Sequence, residues 1–304
     1  MSSQLSHGVV SAPPGVVPNF VSPPNDDNQI IIVHTIFLII TTLSVVMRIY
    51  TQLQISSLRL GVSDYLCVIS YAGVVAFSGV LFKSMSWGLG RHIWDVPLEW
   101  LENALKWETI ASWIYFVTAT YIKLGFLFFY RRIFSPDATA KVLVNGGIVV
   151  SSLVGLGLFI GIVFFCLPIG KAWNNALSGH CANPVVLAWL SGAWNALVDI
   201  YVLILPIPFI WKLNMAPKRK RRLIAVFGVG IFACVASLVR LGKTPILQSS
   251  CDATYNLSQV SLWATLEINV GLTCSCLLVL PAFLCYHLPA SAKSSTNTSE
   301  MELV

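Results

Sequence analysis

The chain has 304 residues, of which 56% are apolar and 11% charged, and its mean hydropathy is +0.76. A soluble domain devotes about 25% of its residues to charge, so this composition cannot cover a water-facing surface, and lipid is the solvent it implies. The formal charge of +6 then reads as a topology signal rather than a nucleic-acid footprint, and eight cysteines without a CxxC pair suggest neither zinc nor a disulfide scaffold.

Residues 1–29 are rich in Pro, Ser and Asn and contain no Lys or Arg. They read as a disordered tail without a cleavable signal peptide, leaving the first apolar segment to act as its own insertion signal. Crossing hydrocarbon takes about 20 mostly apolar residues. Seven segments qualify: Ile30–Tyr50, Asp64–Phe82, Thr109–Tyr130, the stretch between Lys141 and Lys171, Val185–Trp211, Leu223–Leu241 and Leu257–Leu284. Before the third, Asp95 suits a helix cap and Pro97 a first turn, and Leu98, Leu101 and Leu105 recur at helical spacing. With Glu102 and Lys106 at a favourable i, i+4 interval, the third helix is expected to protrude as far as Pro97. Pro206 and Pro208 predict a kink near one end of the fifth. Residues 286–304 are polar and read as a short tail.

Lys and Arg assign the sides. One set of connections carries Arg48 and Arg59, then Arg131, Arg132 and Lys141, then Lys212 with the run Lys218, Arg219, Lys220, Arg221 and Arg222, and finally Lys293. The other carries only Lys83, Arg91, Lys106, Lys171 and Lys243. The positive-inside rule places the first set in the cytosol. The expected fold is therefore all-α: a seven-helix polytopic bundle over residues 30–285, N-terminus outside and C-terminus cytosolic, in a plasma or an internal membrane.

Charge inside hydrocarbon is costly, at least about 2.5 kcal/mol on insertion scales, and marks the candidate site. Asp199 lies near mid-depth of the fifth segment with Asn195 one turn earlier; Glu267 lies in the outer half of the seventh; Lys123 lies in the inner third of the third; Arg240 ends the sixth. Such groups either line a polar cavity for a ligand, a proton or a reacting substrate, or pair across helices. Lys123 is close enough in depth to pair with Asp199 or with Asp64, and can also snorkel to the near face. The turn Gly88-Leu-Gly90-Arg91-His92-Ile-Trp94 sets His92 at the outer interface, as a ligand contact, a general acid/base or a plain surface histidine; no second histidine nearby offers a metal site. Cys166 and Cys181 both face the oxidising side and can close a loop over the bundle mouth, with Cys251 a competing partner. Nucleophile-elbow, zinc-protease and nucleotide-loop signatures are missing, no cofactor is expected, and no lysine lies between Asn256 and Cys285 to hold retinal.

Several stretches together resemble the fungal rhodopsin-domain family of seven-helix membrane proteins. They are Gly88-Leu-Gly90-Arg-His92; Lys123-Leu-Gly with Phe129-Tyr130-Arg-Arg-Ile-Phe134; Cys166-Leu-Pro with Trp173 and Gly179-His-Cys181; Asp199 followed by Leu205-Pro206-Ile-Pro208 and Trp211; Arg240; and Asp252 with Leu262-Trp263 and Glu267. The resemblance implies a fungal source and a receptor-like bundle, some members being similar to proteins encoded beside secondary-metabolite genes. Departures from the large animal receptor class matter too. The third helix ends in Tyr130-Arg131-Arg132 and the seventh lacks Asn-Pro-x-x-Tyr, so coupling by the animal mechanism has no support.

The leading expectation is a sensor of a small lipophilic molecule. The ligand would enter near His92, Glu267 and the Cys166–Cys181 loop, with Lys123, Asn195, Asp199, Arg240 and Trp263 as further contacts, and Lys218–Arg222 would serve as the readout to a cytosolic partner. The alternative is a membrane-embedded cyclase or isomerase using Asp199 and Glu267 as general acids. A carrier is less favoured because no internal repeat is visible.

Overall fold

Within hydrocarbon a backbone must satisfy its own polar groups, and a single chain segment does so only as a helix. The computed structural model of the chain describes residues 19, 27–55, 60–134, 137–174, 176–212, 217–245 and 252–287. Nearly all of them are helical. The helices are α1 (Asp27–Tyr50), α2 (Val62–Met85), α3 (Leu98–Ile133), α4 (Ala138–Val163), α5 (Pro184–Ile204), α6 (Ile207–Lys212), α7 (Pro217–Lys243), α8 (Ala253–Leu277) and α9 (Leu280–His287). Six of these regions, those of α1 to α5 and α8, are long and apolar enough to cross a membrane. The expected sixth segment, Leu223–Leu241, lies within α7, which packs between α5 and α8. The side chains of Lys218, Arg219, Lys220, Arg221 and Arg222 lie outside the described residues, as do most of residues 1–29 and 286–304 and the whole of Cys251.

Local chemistry sets the ends. Asp64, at the third position of α2, accepts the Gly61 amide at 3.0 Å. Asp137 caps α4 by accepting from the Thr139 and Ala140 amides, and Asn183 caps α5 in the same way, with Pro184 in the first turn. Pro206 breaks α5 from α6 at the expected kink. α3 runs unbroken for 36 residues, about 54 Å at 1.5 Å per residue, so it protrudes from a hydrocarbon layer of about 30 Å. Its cap is Pro97 rather than Asp95. Asp95 instead sits buried in a short 3-10 turn and accepts the Asn19 amide at 2.8 Å, tying the N-terminal segment to the bundle there.

α3 and α8 form the centre. Half of the apolar window of α3 and 61% of that of α8 are buried, against 11% for α4, whose Val142, Leu153 and Leu156 face outward. Small residues set the closest approaches, as is usual for helices packed in lipid. A Cβ on Gly73 of α2 would stand 2.2 Å from Thr118 Oγ1 of α3, and one on Gly147 of α4 would stand 2.6 Å from the Tyr201 ring of α5. At one end of the bundle, Arg48 of α1 donates through Nε and Nη2 to Asp64 of α2 (3.0 and 2.8 Å) and through Nη1 to the Ser275 carbonyl of α8 (2.6 Å). Both Arg48 and Asp64 are fully buried. At the other end, Cys166 and Cys181 pair across two short antiparallel strands, β1 (Cys166–Leu167) and β2 (His180–Cys181), and form a disulfide. That disulfide is the pairing expected from the sequence, with Cys251 as the competing partner.

Gly73→Leu should therefore destabilise the detergent-solubilised protein by about 1–3 kcal/mol or more, read as a lower thermal midpoint and a lower folded yield. Gly79→Ala, on the same helix with nothing within 4 Å of the added carbon, should leave both unchanged.

Candidate functional site

Four helices bring their polar groups together at mid-depth. Lys123 and Tyr115 come from α3, Asn195 and Asp199 from α5, Ser237 and Arg240 from α7, and Glu267 from α8. Lys123 Nζ lies 3.3 Å from Asp199 Oδ1, and also donates to the Asn195 carbonyl at 3.0 Å and to Asn195 Oδ1. Arg240 Nε lies 3.2 Å from Glu267 Oε2, and its guanidinium sits 4.8 Å above the centre of the Tyr115 ring. Asn195 joins the two ion pairs. Its Nδ2 donates to Glu267 Oε1 at 2.5 Å and to Ser237 Oγ at 3.1 Å, and reaches toward Asp199 Oδ2 at 3.5 Å. The Tyr115 hydroxyl donates to Glu267 Oε1 at 2.8 Å.

The cluster is buried and balanced. Lys123, Asn195, Arg240 and Glu267 are each less than a tenth exposed, and two cations face two carboxylates. Burial strengthens each attraction while making any unpartnered charge expensive. The five residues read from the sequence as intramembrane candidates, Lys123, Asn195, Asp199, Arg240 and Glu267, thus meet in one network. Lys123 chooses Asp199, while Asp64 is taken by Arg48. Neither snorkelling nor the Asp64 partnership describes Lys123.

Beside this network, toward the disulfide end, lies a cavity of about 240 Å³ between α3, α4, α5, α7 and α8. Tyr115 and Arg240 belong to both its wall and the network. Phe165 and Pro184, each near one end of the disulfide-tied segment, also line it.

His92 and Trp263 fall elsewhere. His92 Nδ1 lies 2.5 Å from Asp252 Oδ2, and its ring stacks between Trp94 and Tyr255 at centroid distances of 4.7 and 4.9 Å. Asp252, just before α8, also accepts the Ile93 amide at 3.0 Å. The arrangement pins the Gly88–Trp94 turn, where Gly88 and Gly90 take positive φ, to the start of α8. Fifteen residues separate Asp252 from Glu267, about 22 Å along a helix, so His92 and Glu267 do not share a single pocket. Trp263 is half-buried and does not line the cavity. Two residues that sequence reasoning passed over matter here. Tyr115 carried no signal beyond an aromatic in an apolar run. Glu108, which reaches the cavity wall, sits one residue before the assigned start of the third segment.

Residues 47–285 match the family model described as the fungal rhodopsin domain. Among curated proteins, the chain is 27% identical to Fugralins biosynthesis cluster protein 2 of Gibberella zeae, over 91% of this chain and 71% of that protein. It is 29% identical to a SAT4 family membrane protein of Emericella nidulans, over 68% of this chain and 53% of that protein. It is 24% identical to Receptor GIN3 of Arthrobotrys oligospora, over 92% of this chain and 68% of that protein.

Lys123→Met and Asp199→Asn should each destabilise the protein by about 3–5 kcal/mol, because each leaves a buried charge without its counterion. The double variant should lose less than the sum of the two, by roughly 0.5–3 kcal/mol. Unfolding titrations of the four proteins in mixed micelles measure this coupling, and strict additivity would mean that the ion pair carries no energy.

Proposed function

The chain belongs to the fungal rhodopsin domain family, and on that footing we propose that it is a receptor-like, seven-helix protein that senses a small lipophilic molecule, in a setting tied to fungal secondary metabolism. In this reading α7 is the sixth span and α8 the seventh, the disulfide end of the bundle faces outward, and the Lys218–Arg222 run of α7 lies in the cytosol. The charge asymmetry of the connections supports that orientation. The names of relatives support the two halves of the proposal separately, one relative being a receptor and another a biosynthesis cluster protein.

The observation that carries the reading is the shared wall. A molecule in the cavity touches Tyr115 and Arg240, and both of these hold Glu267. Occupancy therefore bears on a cluster that ties α3, α5, α7 and α8 together. A ligand shifts such an equilibrium only by the difference in its affinity for the two arrangements. Contact with Arg240 supplies that difference, since the residue lies on the helix whose far end carries the basic run. The enzyme reading draws less support. Asp199 and Glu267, its candidate acids, are each held by a cation, and neither lines the cavity.

The test complements a gene-deletion strain with the wild-type chain, with Ala188→Trp, which fills the cavity from α5, or with a variant in which Lys218–Arg222 are neutralised. Transcript profiles are then compared after adding a lipophilic culture extract. The wild type should restore a response that both variants lose at equal membrane abundance. A full response from Ala188→Trp, or conversion of an extract component by the purified protein, would overturn the proposal.

A further inference from the structure

Most hydrogen-bond donors on the cavity wall are already spent. The Tyr115 hydroxyl donates to Glu267. Those of Thr109, Ser191 and Thr244 donate to backbone carbonyls of their own helices, and that of Ser261 donates to Glu108. The Trp113 indole Nε1 exposes less than 1 Å² and is sealed into the packing.

Arg240 is the exception. Its Nε, which carries one of the five N–H groups of a guanidinium, holds Glu267. Its Nη1 and Nη2 have no hydrogen-bond partner among the described residues, yet they are not sealed as Trp113 Nε1 is. The side chain is 10% exposed and borders the cavity. Buried polar groups are nearly always paired, and each exception calls for a reason. An oxygen acceptor inside the cavity supplies one. Ser112 also lies on the wall, but it is exposed and neutral, so the guanidinium is the stronger donor.

The charge balance narrows the acceptor. Lys123 and Arg240 already face Asp199 and Glu267. A carboxylate ligand would bury a further negative charge without a cation of its own, and an ammonium ligand would set like charge against Arg240. A neutral oxygen does neither. The rest of the wall is largely apolar, with Phe77, Phe116, Leu187 and Ala264 among its residues. At about 240 Å³ the cavity falls below the roughly 300–1,000 Å³ of drug-sized sites, so its occupant is small.

We propose that the cavity binds a small, mostly apolar molecule whose neutral carbonyl oxygen accepts hydrogen bonds from the Nη groups of Arg240. The proposal rests on the sensing reading above and names the chemistry of its ligand. A carbonyl oxygen presents its lone pairs in one plane, which suits the planar fork of a guanidinium.

The test uses the full chain in lipid nanodiscs and three probes of one shape: 4-phenyl-2-butanone, 2-methyl-4-phenyl-1-butene, in which a methylene replaces the oxygen, and 3-phenylpropanoate. Calorimetric titration of Ala188→Trp gives the part that is mere partition into lipid, and empty nanodiscs provide the same baseline. The wild type should bind the ketone at least about tenfold more tightly than the alkene, because only the ketone pairs the charged donor, and more tightly than the carboxylate. An isotope-labelled ketone carbonyl should absorb at lower infrared wavenumber in the wild type than in that baseline. Replacing Arg240→Met together with Glu267→Gln, which removes the guanidinium along with its counter-charge, should bring ketone and alkene within about twofold. The wild-type readings decide the matter if that variant does not fold. A carboxylate that outbinds the ketone, an unshifted carbonyl band, or a ketone preference that survives in the double variant would overturn the assignment. Equal binding of ketone and alkene, both lost in Ala188→Trp, would sink the carbonyl assignment but leave the cavity reading standing. No binding above the baseline would remove both.

Discussion

Lipid offers a charged side chain no partner, so each charge this chain carries into its interior must be answered by another helix. That constraint explains why four helices converge where they do. Lys123 and Asp199, Arg240 and Glu267 neutralise one another in pairs, and Asn195 spans the gap between the pairs with its carbonyl and amide groups. Sliding α5 or α8 along its axis by one turn, about 5.4 Å, would strand two of these charges. The network therefore fixes register in a way that apolar side chains against apolar lipid cannot.

Polar contacts recur in three layers down the bundle, and α8 takes part in all of them. At the disulfide end Asp252, immediately before α8, receives His92 and the Ile93 amide. At mid-depth Glu267 receives Tyr115, Asn195 and Arg240. At the opposite end the Ser275 carbonyl receives Arg48. Between these layers further side-chain bonds join α8 to α1, Thr265 Oγ1 lying 2.7 Å from His34 Nε2 and Thr41 Oγ1 donating to Asn269 Oδ1 at 2.9 Å, amid apolar packing in which Ile268 and Leu272 are almost fully buried. A central helix held at three depths is the frame against which the peripheral helices are placed.

Much of this was legible in the sequence, and the reasons differ by level. Long apolar runs announce membrane helices because no other backbone survives in hydrocarbon. The five intramembrane polar residues of the network announce themselves because they are too costly to be there by chance. Partnership was harder to read. The pairing of Arg48 with Asp64, and hence of Lys123 with Asp199, follows from how helices rotate about their axes, and composition carries no record of that. His92 looked solitary because its carboxylate, Asp252, arrives from 160 residues away. Glu108 was missed for a different reason. A charge at the edge of an apolar segment looks like the start of a loop, and only the unbroken course of α3 shows that this edge lies inside the bundle.

The two arginines buried among the described residues, Arg48 and Arg240, are held differently. Arg48 makes four hydrogen bonds: Nε, Nη1 and Nη2 all donate, to a carboxylate, a hydroxyl and a backbone carbonyl on two neighbouring helices. Arg240 holds Glu267 through Nε, at 3.2 Å, and otherwise rests against the Tyr115 ring beside a cavity. Breaking the first contact strands several polar groups at once, with nothing nearby to replace them. Displacing the second breaks one buried ion pair and the ring contact, with open volume on its flank. The Arg48 contact thus joins α1 to α2 and α8 at one end of the bundle, whereas the Arg240 contact lies near the disulfide end of α7, next to the Tyr115 hydroxyl that also holds Glu267.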